Sequence, residues 1–578
     1  MKYRASRLAL LAAATTLAVQ APAEAQLGNL QYQAAEVGKP LASFGTAVFG
    51  GSPGGSNTVI VLRGYLIVMG SHDSGKPDGP LHVFDVKNPR QPVLMKRFTS
   101  AETGDLRELH AMPVAMIDGK DYLVLPTTKG LRFFDFTDPL NPEHVAGLEL
   151  EGVNGGDYDN AAWMLSWVWP HVYVGGTGNG VYVVDATDPA QPKLLERVAT
   201  SELGGFRVGP VYGAGNYIVL SGMDDKPTKV SVLDASDPSQ PFLIGSGAAG
   251  AAMYSTVVIG DRIYGAGFEG NYSFMSWSVS DGFAEVKNLT TQKFGKDKGG
   301  YCTYQDTKIF CGQSSEGYRI IDVSNETSFT ELQSGDVEGS GADTDFATVL
   351  GNLIYLGNDH GDGAALIPHS MAPDTSPPEI VKTFPSDGEL NQPLTSRFTA
   401  FFSDEIALET VNPETIKVRH VDGTPVDGVF SHSSINAISF GPRAPLLPDS
   451  TYEIVFVAGG VKDLAQNAMT EEVVVRFSTG AMIEEPMQMG GTGGMASSGG
   501  SAGSAPTAGG GLPDSGGAGS GGSGVAPAPM PGAAPAEESA SGCGCSVPGS
   551  SRTGLSPWLL GFGLLVAQLG RRHNARRS

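Results

Sequence analysis

Short apolar runs that end in aspartate recur along the first two-thirds of the chain. Leu81-His82-Val83-Phe84-Asp85, Leu131-Arg132-Phe133-Phe134-Asp135, Val181-Tyr182-Val183-Val184-Asp185 and Val230-Ser231-Val232-Leu233-Asp234 are the clearest copies. Tyr318 to Asp322 is a degenerate copy, and Phe274 to Ser278 and Ala364 to Pro368 are weaker ones. Each clear copy is followed by Asn-Pro or Asp-Pro (Asn88-Pro89, Asp138-Pro139, Asp188-Pro189, Asp237-Pro238) and then by a second proline. The four aspartates lie 50, 50 and 49 residues apart. Runs of this length and composition are strands. The Pro-containing segment after each is a turn, because Asp accepts backbone N–H groups and Pro fixes φ. The second proline delays the next strand and suits it to a sheet edge.

Upstream of these copies lie strand pairs folded about tight turns. Val59 to Met69 turns at Arg63-Gly64, Val211 to Leu220 at Gly215-Asn216, and Ser255 to Gly265 at Gly260-Asp261. Tyr301 to Gly312 turns at Asp306-Thr307, and Phe346 to Leu356 at Gly351-Asn352. Each unit therefore holds about four strands, the size of a propeller blade. There are seven units: 55–98, 108–150, 158–198, 205–245, 250–290, 297–333 and 342–369. The seventh ends after its third strand, and Gln31 to Ser43 is placed to supply the fourth. An open β-solenoid would use shorter periods and leave its ends uncovered. The expected fold is all-β, with a closed seven-bladed β-propeller over residues 26–372. The strand-Asp-turn element, with Asp85, Asp135, Asp185, Asp234 and Asp322 as its signature, resembles the LVIVD-type repeat of exported bacterial proteins. That resemblance implies a propeller and no catalytic residue set.

At Met371 to Pro378 the repeat stops. Residues 376–480 read as a β-sandwich with strands at Glu379 to Phe384, Arg397 to Phe402, Ile416 to His420, Ala437 to Phe440, Thr451 to Val457 and Val473 to Ser478. Pro385-Ser386-Asp387-Gly388, Phe402-Ser403-Asp404-Glu405 and Lys462-Asp463-Leu464-Ala465-Gln466-Asn467 stand in order there. Together they resemble the bacterial Ig-like domain of S-layer and adhesin-like proteins, which implies a spacer or binding module. Gln466 replaces the usual Gly of the last element.

The two ends carry addresses. Lys2, Arg4 and Arg7, the apolar run Leu8 to Val19, and Ala23-Glu24-Ala25 make residues 1–25 a secretory signal. Residues 481–542 form a linker, almost wholly Gly, Ser, Ala and Pro from Gly490 onward, and are expected to be a disordered tether. Gly542-Cys543-Gly544-Cys545, Pro557-Trp558, the apolar run Leu559 to Leu569 and Arg571-Arg572 come after it. This order resembles the MYXO-CTERM sorting signal over residues 543–578, with a short hydrophobic helix. The resemblance implies a membrane sorting protease as partner, attachment through Cys543 or Cys545, and residence at the cell surface or outer membrane.

Composition narrows the chemistry. Of 578 residues 79 are Gly, which suits short strands and tight turns, and 61 acids against 38 bases exclude a nucleic-acid partner. The two ends expected to be removed, 1–25 and 546–578, carry eight bases and one acid, so the sorted protein is more acidic still. On a propeller the loops leading into the blades and those between second and third strands share one face. Here they carry many acids: Glu102, Asp105, Glu108, Asp157, Asp159, Asp336, Glu338, Asp343 and Asp345, then Asp73, Asp78, Asp224, Asp225, Glu269, Asp359 and Asp362. No cofactor is required, but oxygen ligands among Gly-rich turns suit Ca²⁺, with Asp73, Asp343, Asp345, Asp359 and Asp362 as the candidate ligands. His72-Asp73 and Asp359-His360 occupy equivalent loops of adjoining blades and offer acid–base or metal chemistry, against the plainer reading of polar turn residues. Folding Tyr301 to Gly312 about Asp306-Thr307 sets Cys302 opposite Cys311, and export favours a disulfide.

No complete catalytic constellation is visible, nor any nucleophile elbow, zinc-helix motif or phosphate loop. The expectation is a surface-anchored, non-enzymatic protein whose propeller binds a protein or glycan. The alternative is an exported hydrolase with a metal in the central funnel. Convergence of three or more of Asp73, His110, Asp159, Asp345, Asp359 and His360 on one point would favour the alternative.

Overall fold

The computed structural model describes residues 27–44, 56–70, 81–223, 226–335, 344–358 and 364–484. The expected signal segment, tether and sorting segment with Cys543 and Cys545 lie outside them, as do Asp73, Asp343, Asp359 and Asp362.

Seven four-stranded antiparallel blades succeed one another along residues 42–368, six of them as separate sheets. The first runs outward from Ser56–Leu62 through Tyr65–Gly70 and Leu81–Asp85 to Val93–Phe98. The innermost strands of the next five are Val114–Ile117, Leu165–Val168, Val208–Ala214, Met253–Ile259 and Cys302–Gln305. The seventh sheet draws only three strands from its own segment, starting with Thr344–Leu350. Its outermost strand is Ala42–Phe44, antiparallel to Ala364–Leu366. The N-terminal segment thus closes the ring, with a strand at the very end of the stretch expected. From the third blade round to the first, each innermost strand packs on the next.

The signature aspartates build the turn between third and outermost strands. The carboxylates of Asp85, Asp135, Asp185, Asp234 and Asp322 each accept the backbone N–H two residues on, at 2.7–3.0 Å. Asn88, Asp138, Asp188, Asp237 and Asn325 then repeat the same contact three residues later. Two consecutive Asx turns per blade explain why the repeat is read as Asp-x-x-Asp/Asn. The outermost strand then pairs with a one-residue slip in six blades, for instance at Val183/Val184 and Ile320/Ile321. Such a bulge sharpens the strand's twist at the rim. Exposed edge residues there include Arg97, Lys193 and Glu196, charges that discourage edge-to-edge pairing.

Cys302 faces Cys311 across the innermost hairpin of blade six, and the two form a disulfide.

After the ring, two packed sheets form the sandwich. One orders Ile380–Phe384, Phe398–Phe402, Ala437–Pro442 and Gly428–Ser434; the other orders Ile416–His420, Thr451–Phe456 and Val473–Ser478. All six expected strands are present. The unexpected one is Gly428–Ser434, and its position matters most. It pairs antiparallel with the innermost strand of blade two: Phe430 with Met116, Ser431 with Ala115, His432 with Val114. Blade two and half of the sandwich are therefore one eight-stranded sheet.

Candidate functional site

The sandwich sits over the face formed by the hairpin turns between first and second strands. In blade four, Gly215 has φ +61° and a Cβ there would lie 2.7 Å from the carbonyl oxygen of Phe384. Gly260 of blade five stands in the same relation to Lys382, with φ +61° and a Cβ 2.6 Å from the lysine's own. Both turns need glycine for the left-handed backbone and again for the close approach. Polar contacts continue around the ring. Asn216 donates to Ser396 Oγ (2.9 Å), Asp306 N–H to the Ser403 carbonyl (2.9 Å), and Asn436 Nδ2 to the Tyr304 carbonyl (2.9 Å). Arg397 is buried and bridges two blades, donating to Tyr173 Oη at 2.7 Å and to the Ala235 carbonyl at 2.5 Å. Apolar contact joins them: Phe384 stacks on Trp277 with centroids 5.0 Å apart. Sandwich residues Phe398, Phe440 and Phe456 share one core with Val114, Leu123 and Trp167 of the blades.

The loops leading into the blades lie on the opposite face, and there an aromatic group crosses the ring. His110 of blade two stacks on Trp163 of blade three (4.2 Å), lies 4.5 Å from Tyr301 of blade six and 5.7 Å from Phe346 of blade seven. Trp163 Nε1 donates to Tyr301 Oη at 2.9 Å. Both His110 nitrogens are engaged: Nδ1 is 3.0 Å from the Trp163 carbonyl and Nε2 is 3.2 Å from Glu108. Around this stack, cations answer the acids. Lys298 lies 3.1 Å from Asp345, which is buried and also accepts from Tyr254. Arg207 pairs with Asp159, and the buried Arg107 lies over Tyr158 and Trp163.

Of the five carboxylates expected to hold Ca²⁺, Asp345 alone falls in the described residues, and a lysine occupies its side chain. Of the six residues whose convergence would favour a hydrolase, Asp73, Asp359 and His360 lie outside the described residues. His110, Asp159 and Asp345 are each held by a different partner. Among the described residues, two of the acids of this face are thus answered by cations, Asp345 by Lys298 and Asp159 by Arg207.

A different set of carboxylates converges. Asp374, Asp404 and Asp463 each bring an oxygen within 4.8 Å of the others, and among the described residues they form the one such metal-compatible group. Asp374 comes from the segment between the ring and the sandwich, Asp404 from the Ser403-Asp404-Glu405 element and Asp463 from the Lys462-Asp463-Leu464-Ala465 element. Gln305 of blade six reaches into the group, donating to Asp404 at 2.7 Å and to Asp374 at 3.0 Å. Asn467 donates to Asp463 through its backbone (2.8 Å) and side chain (2.9 Å). Burial is the main cause that holds Asp404 well above the usual carboxylate range, pushes Asp463 up to about 7 and raises Asp374; repulsion adds to it, from Asp463 and Asp374 at Asp404, from Asp374 at Asp463 and from Asp306 at Asp374. Hard oxygen donors in this number suit a divalent cation such as Ca²⁺. Asp404 and Asp463 each belong to a sequence motif of the sandwich, but only docking on the ring brings Gln305 into their group.

Residues 374–479 match the family described as bacterial Ig-like domain, and residues 171–200 match the LVIVD repeat. No curated protein matches the chain. Among solved structures, the WD40 β-propeller domain of Doa1 is 12% identical, with 57% of this chain and 97% of that chain covered and a TM-score of 0.39. The computationally designed Ika8 protein is 12% identical over 57% and 100% of the two chains, with a TM-score of 0.38. A fungal alcohol oxidase of the AA5 family, in complex with copper, is 11% identical over 74% and 100%, with a TM-score of 0.39. Likeness at this level says nothing about activity. Among the described residues no helix is long and apolar enough to cross a membrane.

Proposed function

We propose that the chain is an exported, cell-surface-anchored, non-enzymatic protein that presents its propeller to a protein or glycan ligand. The seating of Gly428–Ser434 on the innermost strand of blade two carries this reading. A sandwich fixed over one mouth of the ring leaves the opposite face for a ligand. On that face Tyr158 is 40% exposed and lies against Arg107, with Asp157 and Asp159 beside it. Aromatic rings with flanking carboxylates suit sugars and basic peptide segments alike. In this reading a membrane sorting protease removes the tail beyond Cys545, and Cys543 or Cys545 carries the attachment. Ca²⁺ has its place at Asp374, Asp404 and Asp463, away from the ligand face.

The test is binding of the purified chain to arrayed glycans and to the proteins of its own cell surface, compared with the Tyr158→Ala and Asp159→Asn variants. Both variants should weaken binding at least tenfold. Metal-dependent turnover of ester or phosphoester substrates, abolished by Asp345→Asn, would establish the hydrolase instead.

A further inference from the structure

A cavity of about 40 Å³ remains where the sandwich hairpin enters the ring. The wall given by the ring is mostly apolar, with Val59 and Val61 of blade one, Met112 of blade two and Val349 of blade seven, and Thr58, Thr303 and Thr348 stand among them. The other wall belongs to the sandwich and is polar: Glu405, His432, Ser434 and Asn436. The last three are at least nine-tenths buried. Ser434 Oγ, Asn436 Oδ1 and His432 Nδ1 have no hydrogen-bond partner in the protein. The remaining His432 nitrogen, Nε2, also makes no hydrogen bond, but it lies within ion-pair distance of Glu405, at 2.7 Å.

Three orphaned polar atoms on one wall of one cavity are costly, since a buried polar group without a partner loses its hydration for nothing. They are satisfied if the cavity is occupied. The guest must donate to the amide oxygen of Asn436 and exchange hydrogen bonds with a hydroxyl and an imidazole nitrogen. It must also be small, because a bound water needs roughly 10–15 Å³, so the space holds about three. Benzene-sized guests need far more room, roughly 150 Å³. We infer that this cavity is a binding site for a cluster of about three waters, held by His432, Ser434 and Asn436 and trapped between the ring and the sandwich. The hairpin is thus seated through water on its polar side and through direct strand pairing at Phe430, Ser431 and His432. The water site stands apart from the proposed ligand face and does not depend on what binds there.

Two measurements test it. Crystals of the full chain, grown and cooled without small polyols, should show two or more ordered waters within hydrogen-bond distance of Ser434 Oγ, Asn436 Oδ1 or His432 Nδ1. The same crystals under xenon pressure should leave the site unoccupied by xenon, because dry apolar cavities take up xenon. Xenon bound there, or a cavity without water density, would overturn the inference. The Ser434→Ala variant gives an independent sign. With water bound, removing the hydroxyl removes a hydrogen bond and lowers the denaturant midpoint. In a dry cavity it removes an orphaned group, so a raised or unchanged midpoint would count against the water cluster.

Discussion

His432 of the sandwich stands directly across from Val114, on the innermost strand of the propeller's second blade. Strand pairing between two domains of one chain makes them one sheet, and their cores merge as well. The Ig-like domain is therefore a fixed cover on one face of the ring.

Merged cores should unfold together. Scanning calorimetry of the chain is expected to give one transition for ring and sandwich. Ser431→Pro removes a ladder donor between two paired strands, where Ser431 faces Ala115 on one side and Ser439 on the other. A proline inside a sheet removes a ladder hydrogen bond and is tolerated essentially only at edges and bulges. The variant should separate the trace into two transitions, with the sandwich melting first.

The Cys302–Cys311 disulfide closes a short loop on an innermost hairpin, with a sequence separation of 9. The chain entropy removed by a loop this short corresponds to about 2–3 kcal/mol. Equilibrium unfolding of the Cys302→Ser, Cys311→Ser double variant should show a loss of that size, and reductant should have little further effect on it.

Asp185 holds Thr187 through both its backbone N–H (2.9 Å) and its hydroxyl (2.7 Å). Asp185→Ala should cost about 1 kcal/mol, with Asp185→Asn recovering much of it, because the amide oxygen still accepts. The measurement is the denaturant midpoint at constant slope. An effect on ligand binding would be unexpected, since the hydrogen bonds of Asp185 stay within its own turn.

The Asp374, Asp404 and Asp463 group predicts a pH dependence of definite sign. Asp463 moves from an ordinary 3.8 to about 7 on folding, so between those values the unfolded chain releases a proton that the folded chain keeps. Metal-free stability should therefore be highest below about pH 4 for this group and fall as pH rises towards 7. Ca²⁺ displaces protons, so its stabilisation should grow with pH over the same range. Thermal melts with Ca²⁺ or a chelator at about pH 5 and about pH 8, on either side of the raised value, check both statements. Asp463→Asn should flatten the pH dependence and abolish the calcium effect.

Much of the ring is legible in the sequence because its information is local. Each clear repeat carries an apolar strand, an Asx turn and a proline within a dozen residues, and the alternation needed to pair Cys302 with Cys311 lies within one hairpin. The docking of the sandwich is not legible. Gly428–Ser434 reads Gly-Val-Phe-Ser-His-Ser-Ser, too polar for a core strand, because much of it faces hydroxyls and the polar cavity at the mouth of the ring rather than an apolar face. Asp374, Asp404 and Asp463 are separated by up to 89 positions and face one another only in the folded chain. Likewise, the open face reads as strongly acidic in the sequence, only partly offset by Lys76, Arg107, Lys226 and Lys229, because the positions of Lys298 and Arg207 beside Asp345 and Asp159 depend on tertiary packing.

The sandwich covers the ring only while Gly428–Ser434 stays paired with Val114–Ile117. Hydrogen–deuterium exchange of these two segments in the intact chain tests that pairing. Both should exchange as slowly as the inner strands of the ring, and Ser431→Pro should accelerate both together by orders of magnitude. Exchange of residues 428–434 within seconds, with 114–117 still protected, would mean that the sandwich is a loosely held module and that the cover does not exist.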